Sequence, residues 1–386
     1  MYFRTQLGLL MTPTLIKTSS KEYMKALCKI LASSFFHSVS SVSVMPTEPY
    51  IHLLPVELLQ QIFLFIVNSA PDYPSIFSCE HDTISVNVAS PPLVLTRVCH
   101  LWRVVAYSTT GVWSRIQVVL PGEVRWFRPF LPHFLQCWLA RSGNLPLTLR
   151  IVNNDTPCCM CTCLRSRDYF WLTAPNSRLL NILLSESKRW ETVVMPPACN
   201  WDLSIDTPQL KALECDFFDL SKFHAPNLSR LHINTHYLVP LSGLRIPLYK
   251  DIRHLHLRDA SVCALCSSVT DFPHLETIAV DEIYWFNIPG TSSYSATLES
   301  MTLPLPSSYH FWQEFINMFS LLHLPVFRKL TLVGTPKKRQ VHDLLSMLAV
   351  ASFRIPVLDF QTDVPLRKVH MNSIESLLSV VGEVTF

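Results

Sequence analysis

Only eight glycines (Gly8, Gly111, Gly122, Gly143, Gly243, Gly290, Gly334 and Gly382) occur in 386 residues, and no two lie closer than eleven positions. That scarcity removes every phosphate cradle built on glycine, because neither G-x-G-x-x-G nor G-x-x-x-x-G-K can be written. The G-x-S-x-G nucleophile elbow and the H-E-x-x-H zinc helix are missing as well. Charge is sparse: charged residues make up 16% of the chain, and 32 basic against 29 acidic side chains leave a net +3. No basic field exists to hold a nucleic-acid backbone. The longest apolar run, IFLFIV, has six residues, against about 18 needed to span a bilayer, so no membrane association is expected. The opening MYFRTQLGLLMTPT lacks a compact apolar segment with a small-residue cleavage site. The twelve cysteines are therefore read as reduced thiols in a cytoplasmic and/or nuclear protein. What the chain does have is apolar residues, 49% of the total, enough for a substantial core and too many for a disordered chain.

Residues 1–48 stand apart, with Lys17, Lys21, Lys25 and Lys29 followed by SSFFHSVSSVSV. They read as a poorly ordered extension, or as sequence ahead of a second start at Met45; a basic, Ser-rich transit peptide is the functional alternative.

Beyond Tyr50 a helical period appears. In ELLQQIFLFIV, Leu58, Leu59, Ile62, Phe63 and Ile66 recur at three- and four-residue spacing, with Glu57, Gln60 and Gln61 off that face. Pro55 suits the first turn, where its missing N–H costs nothing. A second helix is predicted over LVLTRVCHLWRVVA, with Leu95, Val98, Cys99, Trp102, Val105 and Ala106 on one face; VWSRIQV follows, with Trp113 and Ile116. Two such helices make a piece of about fifty residues that buries only about 60% of its unfolded surface and is marginal alone. Some of its apolar surface is expected to cover a partner or the rest of the chain.

The residues also carry a resemblance. Leu-Pro-x-Glu-Leu-Leu-x-x-Ile-Phe at 54–63, Val-Cys-x-x-Trp-Arg-x-x-Ala at 98–106 and Val-Trp-Ser-x-Ile at 112–116 resemble, in that order, the F-box motif, especially its fungal form. The match covers roughly residues 50–118, under a fifth of the chain, and departs from the family in the long segment between its halves. The resemblance implies a module that docks a Skp-type adaptor and, through it, a cullin, leaving the rest of the chain to select an unidentified substrate protein for ubiquitin-dependent degradation. Carried over, Leu54 and Pro55 meet the adaptor at the helix start, Leu58, Ile62 and Phe63 contribute from the first helix, and Val98, Cys99, Trp102 and Trp113 match the second apolar cluster. Packing within the module is the alternative for each of them.

Downstream, an apolar template at positions 1, 4 and 6 recurs eight times. The triplets are Trp190/Val193/Met195, Leu210/Leu213/Cys215, Leu228/Leu231/Ile233, Ile252/Leu255/Leu257, Leu275/Ile278/Val280, Leu298/Met301/Leu303, Phe327/Leu330/Leu332 and Ile355/Leu358/Phe360, spaced 18 to 29 residues apart. TPQLKAL, APNLSRL, FPHLETI and LPVFRKL place a proline just ahead of the strand, where a missing donor is tolerated. The period resembles that of leucine-rich repeats, with strands lining one face of a solenoid and helical returns covering the other. The Asn or Cys that such repeats carry three residues after the triplet is absent, Phe218, His236, Ala260, Ile283, Pro306, Thr335 and Asp363 standing there in the last seven repeats. Buried strands of an ordinary α/β domain are the alternative. Non-triplet residues, among them Glu214, Arg230, His232, His254, His256, Thr277, Thr302, Lys329 and Thr331, face the other side and are mixed in character. His254 and His256 read as solvent-facing ladder residues.

Two cysteine clusters and one basic cluster bear on chemistry. CCMCTC (Cys158–Cys163) holds four thiols, but structural zinc takes ligand pairs from separate segments, so free thiols are expected. CALC (Cys263–Cys266), with His254, His256 and His274 near in sequence, lies on a predicted helix, where two small cysteines three apart share a buried face. PKKRQ (Pro336–Gln340) is either a nuclear-import patch or a solvated helix start.

The expectation is a non-enzymatic receptor of α+β / α/β class: an extension (1–48), a helical F-box-like module (49–119) with an inserted loop (68–92), a connecting region (120–188) and an irregular leucine-rich-repeat-like solenoid (189–386). No metal and no cofactor is expected. The rivals are an interaction scaffold outside any ligase, and an enzyme using Cys99 or Cys266 as nucleophile with a distant histidine.

Overall fold

The computed structural model describes residues 54–70, 72–80, 83–120, 128–153, 174–196, 204–234, 251–284, 292–306, 309–334, 338–351, 353–362 and 381–385. The expectations for the N-terminal extension and for CCMCTC lie outside these residues. The fold is mixed α/β with a large parallel sheet, and the chain divides into two compact units: Met1–Met160 with Leu172–Ile182, and Cys161–Trp171 with Leu183–Phe386. Among the described residues no helix is long and apolar enough to cross a membrane.

In the first unit, helix α1 (Val56–Ser69) begins after Pro55, whose carbonyl accepts from Leu58 N at 3.0 Å and Leu59 N at 3.2 Å. The proline thus stands one place before the first helical residue, and Glu57 in the first turn complements the positive end of the helix. At the other end the Arg115 guanidinium donates to the carbonyls of Val67, Asn68 and Ala70 at 3.1–3.3 Å, satisfying groups the helix leaves open. Gly111 lets a neighbouring turn come close to this helix: a Cβ there would sit 2.8 Å from Leu64 Cδ2.

The second predicted helix is divided. Helix α2 (Pro91–Leu95) and helix α3 (His100–Ser108) are separated by a turn at Thr96–Cys99. Cys99 is extended (φ −157°, ψ 176°) and caps α3 through its Sγ, which accepts from Trp102 N at 3.4 Å. Thr96 ties the turn down, its hydroxyl donating to Leu93 O (2.8 Å) and its carbonyl accepting from Arg103 Nε (2.9 Å). Local side-chain bonds to the backbone here outcompete the helix, which a reading of periodicity alone does not detect.

The segment expected as an inserted loop holds a hairpin, β1 (Phe77–Glu80) against β2 (Thr83–Val86), with Ile76, Phe77 and Ile84 fully buried. Residues 74–76 also pair with Gln117. The stretch from Leu120 is more than a connection: β3 (Arg115–Leu120), α4 (Leu131–Arg141) and β4 (Leu147–Asn153) form a β-α-β arrangement with parallel strands. Its core holds Trp113 edge-on to Trp138, centroids 4.9 Å apart. Both indole N–H groups are satisfied, Trp113 by Ala106 O (2.7 Å) and Trp138 by Trp113 O (3.1 Å). Helix α5 (Ala174–Leu184) follows.

In the second unit nine parallel strands lie side by side in chain order: β5 (Trp190–Val194), β7 (Ala212–Cys215), β9 (Arg230–Ile233), β10 (His254–Ser261), β11 (Thr277–Tyr284), β13 (Ser300–Pro304), β15 (Lys329–Val333), β16 (Val357–Gln361) and β17 (Glu383–Thr385). Between them run short parallel pairs, β6 (Ile205–Asp206) with β8 (Phe223–His224) and β12 (Ser293–Tyr294) with β14 (Leu322–His323). Helices α6 (Phe217–Leu220), α7 (Val262–Asp271), α8 (Tyr309–Leu321) and α9 (Lys338–Val350) complete the returns, so Lys338, Arg339 and Gln340 of PKKRQ open a helix.

All 24 residues of the eight triplets are buried. Their middle members fall in one register row from Val193 through Leu213, Leu231, Leu255, Ile278, Met301, Leu330 and Leu358. Full burial of each such side chain contributes about 1.5–3 kcal/mol. The prolines do more than avoid a ladder position. In Thr207–Leu210, Ala225–Leu228, Phe272–Leu275 and Leu324–Phe327 the last amide donates to the first carbonyl at 3.1–3.2 Å, so each proline occupies the second position of a tight turn that its fixed φ favours. Where proline is missing, at Ser295–Leu298, the Ser295 hydroxyl accepts from Leu298 N instead (3.2 Å).

Candidate functional site

Helix α1 presents two apolar faces. Leu59, Phe63, Ile66 and Val67 are buried in the first unit, the Phe63 ring tilted at 57° against Trp102 with centroids 5.0 Å apart. Leu58, Ile62 and Phe65, at i, i+4 and i+7, form a separate row in which Leu58 is 51% and Phe65 40% exposed and Ile62 half-buried. What the sequence presents as one broad stripe is thus split down its length.

The nine nominated adaptor-binding residues divide accordingly. Pro55, Leu58 and Val98 are exposed, Val98 at 53%; Leu54, Ile62 and Cys99 are half-buried; Phe63, Trp102 and Trp113 belong to the core of the unit. Val98 does not share the face of Trp102, because the extended Cys99 breaks the period between them. Phe65 on α1, and Val104 and Tyr107 on α3, are also exposed and were missed. Phe65 was within reach of the sequence, since it lies three residues beyond Ile62 on the row that Leu58 begins.

The second unit offers a polar row instead. Val194, Glu214, His232, His256, Ala279, Thr302, Thr331, Asp359 and Thr385 are successive partners across the parallel strands. At one end Asp359 accepts from Lys329 Nζ (2.7 Å) and from the Thr385 hydroxyl (2.7 Å), and these bonds, the lysine's first, hold its carboxyl below the usual value. Nearer the middle, the His232 and His256 rings stack almost parallel, centroids 4.0 Å apart. His256 Nε2 lies 2.8 Å from Asp281 Oδ1, and His232 Nδ1 lies 3.4 Å from Glu214 Oε2. His254 is tied to the Thr277 hydroxyl at 2.9 Å.

Comparison with protein-family models, curated proteins and solved structures finds no match to this chain.

The cysteines considered as nucleophiles have definite surroundings. Cys266 is buried on α7, and burial, with Cys263 adding to it, pushes its thiol up to about 12. Cys99 spends its Sγ on the α3 cap. Cys215 is buried too, and desolvation, then Asp219, Asp216 and Glu214, push its thiol well up. Thiols held protonated are poor nucleophiles and poor metal ligands at neutral pH.

Proposed function

We propose that the chain is a substrate-recognition subunit of a cullin-based ubiquitin ligase, its first unit containing an F-box-like module that docks a Skp-type adaptor. The observation that carries this reading is the second apolar face of α1. Leu58, Ile62 and Phe65 lie at helical spacing with substantial exposure, beside an exposed Pro55 at the helix start. Apolar rows of this kind on a small unit mark interaction surfaces, and the Leu-Pro-x-Glu-Leu-Leu-x-x-Ile-Phe pattern that carries the family resemblance supplies three of these positions, Pro55, Leu58 and Ile62. The adaptor's contacts then come from Leu54, Pro55, Leu58, Ile62 and Val98, with Cys99 beside them, while Phe63, Trp102 and Trp113 hold the module's shape.

The second unit is the receptor for a substrate protein. Strands in chain order, turns of one type before four of the triplets and repeats of 18 to 29 residues support an irregular leucine-rich-repeat-like solenoid. Its contribution to ubiquitin transfer is effective concentration and orientation, which need no catalytic side chain of its own. The protein then acts in the cytoplasm, the nucleus or both.

The test is co-expression with a Skp-type adaptor and affinity capture of the wild type and of a Leu54→Ala, Pro55→Ala double variant. Capture of the wild type and loss in a variant with wild-type circular dichroism supports the reading. Folded, soluble wild type that captures no adaptor overturns it and leaves a scaffold outside any ligase.

A further inference from the structure

The geometry points to a divalent transition-metal site at His232, His256 and Asp281, on the polar face of the second unit. Among the described residues these are the group of metal-ligating side chains whose ligand atoms, one from each residue, all lie within 4.8 Å of one another. They sit on three adjacent strands: β9 and β10 pair His232 with His256, and Asp281 follows two residues after Ala279, the β11 partner of His256. The strand period sends Ala279 and Asp281 to the same side. The three donors therefore converge because of sheet register, although 49 residues separate the first from the last.

The chemistry of the donors selects the ion. Two imidazoles and one carboxylate suit zinc and its first-row neighbours, whereas magnesium and calcium prefer all-oxygen sites. His232 Nε2 is buried and has no hydrogen-bond partner among the described residues, which leaves an imidazole nitrogen unused in the middle of a polar row. The neighbouring Glu214 carboxylate at His232 Nδ1 favours a proton on that nitrogen and so a lone pair on Nε2; Asn234 in turn donates to Glu214 at 2.8 Å. A carboxylate behind a ligating histidine is the usual outer support of such sites. On the far side, the ion replaces the proton that His256 Nε2 and Asp281 now share at 2.8 Å. Metal–nitrogen bonds of about 2.0–2.1 Å require the donors to draw in around the ion and the stacked His232 and His256 rings to splay apart, so that their in-plane lone pairs meet at it. His256 and Asp281, with side chains 37% and 56% exposed, have room to do so. Three protein ligands leave a fourth position to water or to a donor from a bound molecule. The site is independent of the adaptor-binding reading.

Cobalt(II) is the probe, added to chelator-treated full-length protein, because its visible d–d bands report coordination and a thiolate-to-cobalt band in the near ultraviolet reports binding to cysteines separately. One equivalent is expected to give d–d bands without the thiolate band, displaced by one equivalent of zinc. His256→Gln and Asp281→Asn are expected to remove them, and Glu214→Gln to weaken binding by about 10- to 100-fold, as loss of an outer support does. Asp281 is exposed, so Asp281→Asn keeps the test valid if the histidine variant misfolds. Absence of d–d bands in the wild type, bands accompanied only by thiolate ligation, or bands that survive Asp281→Asn in folded protein would each overturn the site.

Discussion

In the second unit the eight triplets turn their apolar side chains to one side of the sheet, and Glu214, His232, His256, Lys329 and Asp359 lie on the other, whereas helix α1 of the first unit carries apolar residues on both sides. In the sheet, Leu330 is buried and its neighbours in sequence, Lys329 and Thr331, take the opposite face. In the helix, Leu59 is buried and its neighbour Leu58 is half in solvent. The sheet completes its apolar layer with its own chain; α1 leaves a leucine, an isoleucine and a phenylalanine in a row that its own unit covers only in part. A surface of that composition has a use outside the unit, or it is a liability.

The comparison is broken most directly in the sheet. Leu330→Ala opens a cavity in the central apolar row and is expected to cost about 2–5 kcal/mol, read by urea unfolding. A cost below about 0.5 kcal/mol, the range of surface substitutions, would mean that the row is not a packed layer.

The two tryptophans of the resemblance sharpen it at the next level. Trp113 donates to Ala106 O at 2.7 Å, while the buried Trp102 Nε1 has no partner among the described residues. Trp113→Phe orphans a carbonyl and Trp102→Phe removes an unpaired donor, so the former is expected to be the more destabilising by about 1–3 kcal/mol. Equal costs in thermal unfolding would contradict this division of roles.

The smallest effect belongs to Asp359. Its carboxyl is held below the ordinary value of 3.8 by Lys329 first and then by Thr385, so the stability it contributes is present above pH 3.8 and lost as the pH falls below it. The Lys329 side chain is 45% exposed, so solvent screens the pair and Asp359→Asn is expected to cost less than about 1 kcal/mol at neutral pH. The gap in Tm between wild type and variant should close on acidification below 3.8; a gap that widens there would reverse the sign.

Legibility in the sequence followed the range of the forces involved. The eight triplets were readable because strand burial imposes a fixed local period, and each of their 24 residues is buried. Strand β3 fits the same 1-4-6 template in Trp113, Ile116 and Val118 yet reads as the end of the F-box-like motif, and β4, which alternates in Leu147, Leu149 and Ile151, has Pro146 at the first template position and reads as a connection. The hairpin within 68–92 left little signal, since FSCE and TISV have four residues and only two apolar ones each, and gain their place from Ile76, Phe77 and Ile84. The break at Cys99 depends on a sulfur–amide bond that no apolar pattern encodes. The residues of the proposed metal site, His232, His256 and Asp281, are scattered in the sequence, because their proximity is a product of register across three strands.

The central claim, that one face of α1 serves the fold and the other a partner, is tested most directly by Leu59→Ala and Leu58→Ala, each measured by urea unfolding and by Skp-type adaptor affinity. Leu59→Ala is expected to cost about 2–5 kcal/mol and, while folded, to bind as the wild type. Leu58→Ala is expected to change stability by less than about 0.5 kcal/mol and to weaken adaptor binding about tenfold or more. Adaptor binding indifferent to Leu58, or a Leu58→Ala cost equal to that of Leu59→Ala, would contradict the account.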